Sequence, residues 1–289
     1  VNGSLTHQSL SDALASGARR LAAAAVPSPA VDAELLAAHL LQVPRGRVRA
    51  LALADAPAPP GFDDLIDERA RRIPLQHLTG TAHFRYVELA VGPGVFVPRP
   101  ETETVAQLVI DRGRELEAQG TEAPRIVDLG TGSGAIAAAV AQEVPAAEVF
   151  AVELSPLAYG WAEQNLAAWP VTLLAGDMAE ALAADNGTFD VVVSNPPYIP
   201  ADSMPQEPEV SEHDPAIALY GGGADGMAMP ATAVAAAARL LKPGGWFVME
   251  HAEVQAAAVV RLLQGGQWTV VTTHQDLTGR DRATSAVLQ

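Results

Sequence analysis

Cysteine is absent from the 289 residues. That excludes disulfides, thiolate metal sites and cysteine nucleophiles, and it suits a reducing cytoplasm, the expected location. Lysine occurs once, at Lys242, against 17 arginines. No stretch approaches the ~20 uninterrupted apolar residues of a membrane-spanning helix. The apolar run from Leu21 to Val26 is far shorter and has no basic stretch before it, so neither a secretory signal nor a membrane partner is expected. The histidines (7, 39, 77, 83, 213, 251 and 274) show none of the spacings of a metal site, so no metal is expected.

Positive charge is scarce only in part of the chain. Residues 1–75 hold eight arginines and eight acids, whereas residues 76–289 hold ten basic and 26 acidic groups, the whole of the net −16. A surface of that sign repels phosphate backbones, so direct nucleic-acid binding is not expected and a basic protein is the better partner. What is present is apolar material, 49% of residues against 18% charged, enough for one large or two modest soluble domains.

Residues 5–75 read as a small helical bundle. Leu10, Ala13, Leu14 and Leu21 recur at helical spacing, Asp32 to Leu41 repeats the pattern, and Asp63 to Arg72 forms a further short helix after the Pro-rich loop Asp55 to Gly61. Residues 76–103 carry Phe84, Tyr86, Val87, Leu89 and Val91 among Gly and Pro, the pattern of short strands and tight turns. From 104 to 289 apolar strands (125–129, 148–153, 171–175, 189–194, 245–250, 268–274, 284–288) alternate with helical stretches. This predicts an α/β domain with an open, mostly parallel sheet covered on both faces.

Asp128-Leu129-Gly130-Thr131-Gly132-Ser133-Gly134 lies where an apolar strand meets a helix. Glycines there let a ligand approach the backbone. The spacing Gly130-x-Gly132-x-x-Ala135 formally satisfies a dinucleotide fingerprint, but Asp128 sits badly beside a pyrophosphate and suits an ammonium. Glu153, at the next strand tip, is placed for two ribose hydroxyls. Asp177 is placed for an adenine amine, or merely to cap a helix, with Met178 as an apolar wall. Acids at three successive strand ends describe a nucleoside joined to an amino acid, which is S-adenosylmethionine.

Asn195-Pro196-Pro197-Tyr198 follows another apolar strand. Two prolines fix their own φ angles, bias the residues before them to extended backbone and remove two N–H donors. The result is a stiff elbow with an acceptor-rich edge, the Asn195 side-chain oxygen and the Pro196 carbonyl, and a flat face on Tyr198. Such an edge suits methylation of a planar –NH2 group. Two acceptors hold both N–H bonds and stabilise the positive charge that grows on nitrogen.

The stretches DLGTGSGAIA (128–137), VVVSNPPYIP (191–200), VFVPRPETE (95–103), ALYGGGADGM (218–227) and LKPGGWFVMEH (241–251) together resemble the HemK/PrmC family of peptide-chain release factor glutamine N5-methyltransferases. The resemblance covers nearly the whole chain. It implies a class I S-adenosylmethionine-dependent methyltransferase domain (104–289) with a Rossmann-like, mostly parallel seven-stranded sheet. Before it come an N-terminal helical substrate-recognition domain (1–75) and a β-hairpin linker (76–103) that carries Ile73 to Gly80. It further implies methylation of the glutamine in the Gly-Gly-Gln motif of class 1 release factors, with S-adenosylhomocysteine as the other product; a monomer is expected, though no residue pattern fixes the oligomeric state. Carried over by resemblance, Gly130 to Gly134, Glu153 and Asn195 contact the cofactor, and Asn195 to Tyr198 clamp the substrate amide. Met178 stands where familiar members carry an aromatic residue, and Glu153 where others have Asp.

Two other readings use the same residues. The Asn-Pro-Pro-Tyr tetrad is shared with adenine-N6 methyltransferases of DNA or RNA, which the acidic balance opposes. A non-catalytic S-adenosylmethionine-binding protein would leave Asn195 idle. Among residues outside these motifs, Arg99 and Glu101 to Glu103 either shape a substrate mouth or cap the next helix. For His251 a local hydrogen-bonding role is expected. Gly265-Gly266-Gln267 reads as a helix–strand turn despite copying the substrate tripeptide. The arginines at 45, 47, 49, 69, 71 and 72 either touch a partner or solvate helix surfaces.

Overall fold

The protein was analysed as a computed structural model, which describes residues 8–264 and 266–289. His7 and Gly265 therefore lie outside the described residues. The chain divides into two units, one made of residues 1–81 with 206–213, the other of 82–205 with 214–289.

In the first unit, α1 (Leu10–Ala23), α2 (Pro29–Leu41), α3 (Arg45–Leu53), α4 (Phe62–Ala70) and α5 (Leu75–Thr79) surround a core of Leu10, Leu21, Leu36, Val48, Phe62 and Ile66. Ser9 starts α1 by accepting from the Asp12 amide at 3.1 Å. Helix α5 corrects the expectation that Ile73 to Gly80 lies within a hairpin linker. Pro74 pre-sets the first turn, and Gly80, at φ 72°, stops the helix in the left-handed region. Residues 206–213 come from far along the sequence and include a helical turn, Pro208–His213. Glu209 accepts from Arg72 at 2.5 Å and from Arg69 at 2.7 Å, and Arg69 also holds buried Asp32 at 2.8 Å. Burying these charges is tolerable because each has an opposite partner.

The second unit begins with a hairpin, β1 (Thr81–Phe84) and β2 (Val87–Ala90), and α6 (Thr102–Ala118). The main sheet follows: β3 (Arg125–Leu129), β4 (Glu148–Glu153), β5 (Val171–Ala175), β6 (Phe189–Ser194), β7 (Leu241–Glu250), β8 (Trp268–Gln275) and β9 (Asp281–Leu288). Its seven strands run in the order β5-β4-β3-β6-β7-β9-β8, with β9 antiparallel to both its neighbours and the rest parallel. This is the mostly parallel α/β sheet predicted from the strand–helix alternation.

Central strands are apolar at successive residues because both sheet faces are covered. Ile126, Val191, Val193 and Val248 pack into a core with α6, the hairpin and the Ala-rich helix Ala135–Glu143. Val127, Leu129, Val192, Phe247 and Met249 pack on the opposite face with the helices Ala228–Leu240 and Ala256–Gln264. After β5 the chain crosses from one flank of β3 to the other to form β6. The carboxyl ends of β3 and β6 therefore mark the topological switch point, where α/β sheets bind ligands.

Candidate active site

Strands β3 and β6 pair in register, Leu129 opposite Ser194, and the Ser194 hydroxyl donates to the Leu129 carbonyl at 2.7 Å. The next residue of each strand is Gly130 and Asn195. The glycine loop and the proline elbow thus leave the sheet side by side, about one strand spacing (~5 Å) apart.

The loop takes its shape from Gly130, Gly132 and Gly134, whose φ angles of 74°, 59° and 83° belong to the left-handed region. Its amides are largely engaged. Gly130 and Thr131 donate to the Val152 carbonyl at 2.9 and 3.0 Å, and Gly134 donates to Thr131 at 2.9 Å. The Gly132 amide donates to the Glu153 carboxylate at 2.8 Å. A pyrophosphate would need those amides, so the dinucleotide alternative loses its physical basis. Asn165 donates to the Ser133 carbonyl at 2.9 Å and exchanges hydrogen bonds with the backbone of Ala90, which ties the hairpin to the loop.

Asp128 is buried beneath this loop. Thr131 donates to its Oδ2 at 2.6 Å, while its Oδ1 is left without a hydrogen-bond partner. Burial lifts its carboxyl to about 7, aided by the neighbouring charge of Glu153 and opposed by Thr131 and the Ala137 amide. A carboxyl so placed gains most from a cation, and an ammonium fits the unpartnered oxygen. Glu153 is also buried and shifted upward by desolvation, against the amides of Ser155, Gly132 and Leu154. Each of its oxygens accepts one amide, from Gly132 and from Ser155 at 2.8 Å. Lone pairs remain on both oxygens for hydroxyl donors. Buried Met178 stands beside the loop, its methyl 3.7 Å from where a Cβ on Gly130 would lie. Asp177 is exposed, and one carboxylate oxygen already caps the turn through the Ala179 amide at 2.9 Å.

The elbow is braced from behind. Ile199 exchanges backbone hydrogen bonds with Leu219 and Gly221 at 2.9 and 3.0 Å. Gln255 donates to the carbonyls of Tyr198 and Asp225 at 2.8 and 3.0 Å. Gly226 packs against the elbow so closely that a Cβ there would meet the Tyr198 carbonyl at 2.2 Å. This accounts for the glycine-rich stretch 218–227: it is the backing plate of the tetrad.

Two further candidates emerge, Thr102 from within the stretch Glu101 to Glu103 and Glu250, to which the sequence alone gives no role. Thr102, at the start of α6, is buried and lies 3.4 Å from Asn195 Nδ2. Glu250, at the end of β7, is buried, and the hydroxyls of Thr102 and Tyr198 reach it. Burial lifts its carboxyl to about 7 against those two donors and Arg282. Burial likewise raises the Tyr198 phenol, with Glu250 adding to the shift and Arg282 opposing it. The available signal was a lone acid closing an otherwise apolar strand, one strand away from the switch point.

Arg99 pairs with buried Asp214 at 2.8 Å and stacks on Phe96. Glu103 accepts from the Arg85 amide at 3.0 Å, so both serve local structure. His251 is fully buried, bonded to Thr284 at 2.8 Å and to the Ala252 carbonyl at 3.0 Å, and burial lowers its pKa. Arg45 and Arg49 both hold Glu34. Gly266 and Gln267 lie in the turn between α-helix Ala256–Gln264 and β8. Among the described residues no three His, Asp or Glu side chains are grouped to hold a metal ion, and no helix is long and apolar enough to cross a membrane.

Comparisons with known proteins agree with this geometry. A family model described as PrmC N-terminal domain matches residues 12–80, and one described as methyltransferase small domain matches residues 87–206. The release factor glutamine methyltransferase of Mycolicibacterium smegmatis is 46% identical over 280 residues, which is 96% of this chain and 97% of that protein. The chain belongs to the release factor glutamine methyltransferase family. The Streptomyces coelicolor member is 46% identical over 94% of this chain and 96% of its own. A 4-amino-L-phenylalanine/4-methylamino-L-phenylalanine methyltransferase from Streptomyces pristinaespiralis is 39% identical over 86% of this chain and 85% of that one. Among solved structures, the T. thermophilus 16S rRNA N2 G1207 methyltransferase in complex with AdoMet and guanosine superposes with a TM-score of 0.51 at 21% identity. It covers 72% of this chain and 50% of its own. At that identity the likeness establishes the methyltransferase fold that this family shares.

Proposed function

We propose that this enzyme methylates the side-chain amide nitrogen (N5) of the glutamine in the Gly-Gly-Gln motif of class 1 peptide-chain release factors and so modulates translation termination. The observation that carries this reading is the in-register exit of the glycine loop and the proline elbow from β3 and β6. It sets a donor pocket beside an acceptor-rich edge.

Asp128, Gly130 to Gly134, Glu153, Met178 and Asn195 would hold S-adenosylmethionine. The Asp128 oxygen that lacks a partner suits its ammonium, and the free lone pairs of Glu153 suit its ribose hydroxyls. Met178 is the apolar wall for its base, with Asp177 at the base's amino edge. When bound, this cofactor supplies an electrophilic methyl group on a sulfonium and is left as S-adenosylhomocysteine.

The chain's own residues make the acceptor competent. A carboxamide nitrogen is a weak nucleophile because its lone pair is delocalised into the carbonyl. The Asn195 side-chain oxygen and the Pro196 carbonyl take its two N–H bonds, fix its aim and stabilise the positive charge that builds there. Pro197 keeps the elbow stiff, and the Tyr198 ring packs the flat amide. The surplus N–H proton then passes to water, so no strong base is needed. The Streptomyces pristinaespiralis relative is named for substrates with nitrogen on an aromatic ring, another planar acceptor. The acidic surface complements a basic release-factor domain, and we assign the enzyme to the cytoplasm as a monomer.

Transfer of tritiated methyl to a purified class 1 release factor tests the reading. Label is expected on the wild-type factor and not on its Gln→Ala variant. Label on DNA or RNA instead would make the enzyme an adenine methyltransferase. Cofactor binding with no transfer to any acceptor would make it a binding protein.

A further inference from the structure

Thr102 and Glu250 belong to the two motif stretches, 95–103 and 241–251, whose chemistry the proposed function leaves unused. Parallel strands β6 and β7 pair Ser194 with Met249, so Asn195 and Glu250 are the next residues on neighbouring strands. Thr102 lies within hydrogen-bonding reach of both. Asn195 Nδ2 donates to the Thr102 oxygen at 3.4 Å, and the Thr102 hydroxyl reaches the Glu250 carboxyl. Thr102 is 5% exposed and Glu250 3%, so water does not compete for these bonds. Among the described residues no Arg or Lys is paired with Glu250; Arg282, the nearby cation, is bridged to Asp276 at 3.2 Å.

A threonine hydroxyl has one hydrogen to give. In its ionised form the Glu250 carboxyl only accepts, so Thr102 then gives that hydrogen to Glu250 and meets Asn195 as an acceptor, the direction in which Asn195 Nδ2 donates to it. An Asn side chain has an oxygen end and an NH2 end of nearly equal shape, and its neighbours decide which way it points. We propose that Glu250 and Thr102 are positioning residues that set the direction of the Asn195 carboxamide, holding its NH2 end back so that its oxygen is presented to the acceptor nitrogen. The reverse orientation would set NH2 against NH2 and remove one of the two acceptors that aim the substrate. The Tyr198 phenol also faces Glu250, so one buried carboxyl lies against both ends of the tetrad.

This inference rests on the proposed amide chemistry, and its test separates the two. Thr102→Val keeps the shape and removes the hydroxyl, Thr102→Ser keeps the hydroxyl, and Glu250→Gln can donate as well as accept. Methyl transfer to the release factor is measured for each, with cofactor affinity by calorimetry and folding by thermal melting. By analogy with the loss of a single preorganised polar contact, Thr102→Val lowers kcat about 30- to 100-fold and Glu250→Gln about tenfold. The KM for release factor and the Kd for S-adenosylmethionine stay within about twofold, and Thr102→Ser recovers activity to within about threefold of wild type. Independently of turnover, the Asn195 side-chain NH2 resonances, assigned with Asn195→Asp, shift in Thr102→Val and Glu250→Gln and return in Thr102→Ser.

Wild-type turnover and unmoved resonances in Thr102→Val and Glu250→Gln would overturn the positioning role while leaving the function intact. Equal damage in Thr102→Ser and Thr102→Val would also overturn it, since packing and not the hydroxyl would then matter. If the wild-type enzyme does not label the glutamine, the proposed function falls, and the resonance shifts alone decide whether the orienting chain exists.

Discussion

Buried acids are treated in opposite ways in the two units. In the helical unit buried Asp32 has Arg69, half-buried Glu34 has Arg45 and Arg49, and half-buried Glu209 has Arg69 and Arg72. Glu209 is held down at about 2 by those hydrogen bonds despite its burial. At the carboxyl edge of the sheet, Asp128, Glu153 and Glu250 are all buried, yet among the described residues none is in an ion pair, and all three are shifted upward by desolvation. The same sheet unit pairs its acids away from the site, as with half-buried Glu143 and Arg85 at 2.6 Å or buried Asp214 and Arg99. Pairing is thus the rule, and the switch-point edge is the exception. An unpaired buried carboxyl costs stability, and it persists where a ligand or a substrate-holding side chain supplies the missing partner.

The contrast breaks most visibly at Asn195. Asn195→Ala is expected to lower kcat by about 1000-fold, in the range of losing a preorganised transition-state contact, while the melting temperature holds. The tritium transfer assay and a thermal melt check this together. The converse is expected at Arg69. Arg69→Met strands Asp32 and leaves Glu209 with Arg72 alone, and urea unfolding should show a loss of about 3 kcal/mol with an unchanged Kd for S-adenosylmethionine. A smaller effect is expected at Asp128. Asp128→Asn should weaken cofactor binding about 100-fold, as for an ammonium that loses its buried counter-charge, while the ligand-free protein melts no lower than wild type. Calorimetric titration and melting are the two readouts.

The smallest effect is one of pH. The carboxyls of Asp128 and Glu250 sit at about 7 when folded, against about 4 in an unfolded chain. The folded state therefore holds the extra protons between those values. The stabilising contribution is complete below about pH 4 and is lost as pH rises through about 7. Without cofactor, unfolding free energy should fall by up to about 2 kcal/mol per group between pH 5 and 7.5. The Asp128→Asn/Glu250→Gln double variant should flatten that slope. A wild-type slope no steeper than the double variant's would mean these acids are not desolvated as described.

Much of the sheet, and which residues stand at its carboxyl edge, is legible in the sequence for a definite reason. Strands covered on both faces are short continuous apolar runs, so 125–129, 148–153, 171–175 and 189–194 stand out against their Gly- and Pro-containing ends. The glycine loop, Asp128, Glu153 and the tetrad follow because they sit directly at those ends. The helical unit was harder to read. Helix α3 buries only Val48 and opens on Arg-Gly-Arg, so it has no apolar stripe to read. The five-residue α5 is too short for periodicity to register. Residues 206–213 were hidden altogether, because what assigns Glu209 to the helical unit is a pair of arginines more than a hundred positions earlier. The juxtaposition of Thr102 and Glu250 with Asn195 is not legible in the sequence, since it depends on which strand lies beside which.

The return of residues 206–213 to the helical unit means that the front end of this enzyme is not a detachable cassette. A fragment ending near residue 81 would carry Arg69 and Arg72 without Glu209, and a graft of the first 81 residues onto another methyltransferase would inherit the same deficit. Any exchange of this helical unit for another must therefore move two separate stretches of gene at once.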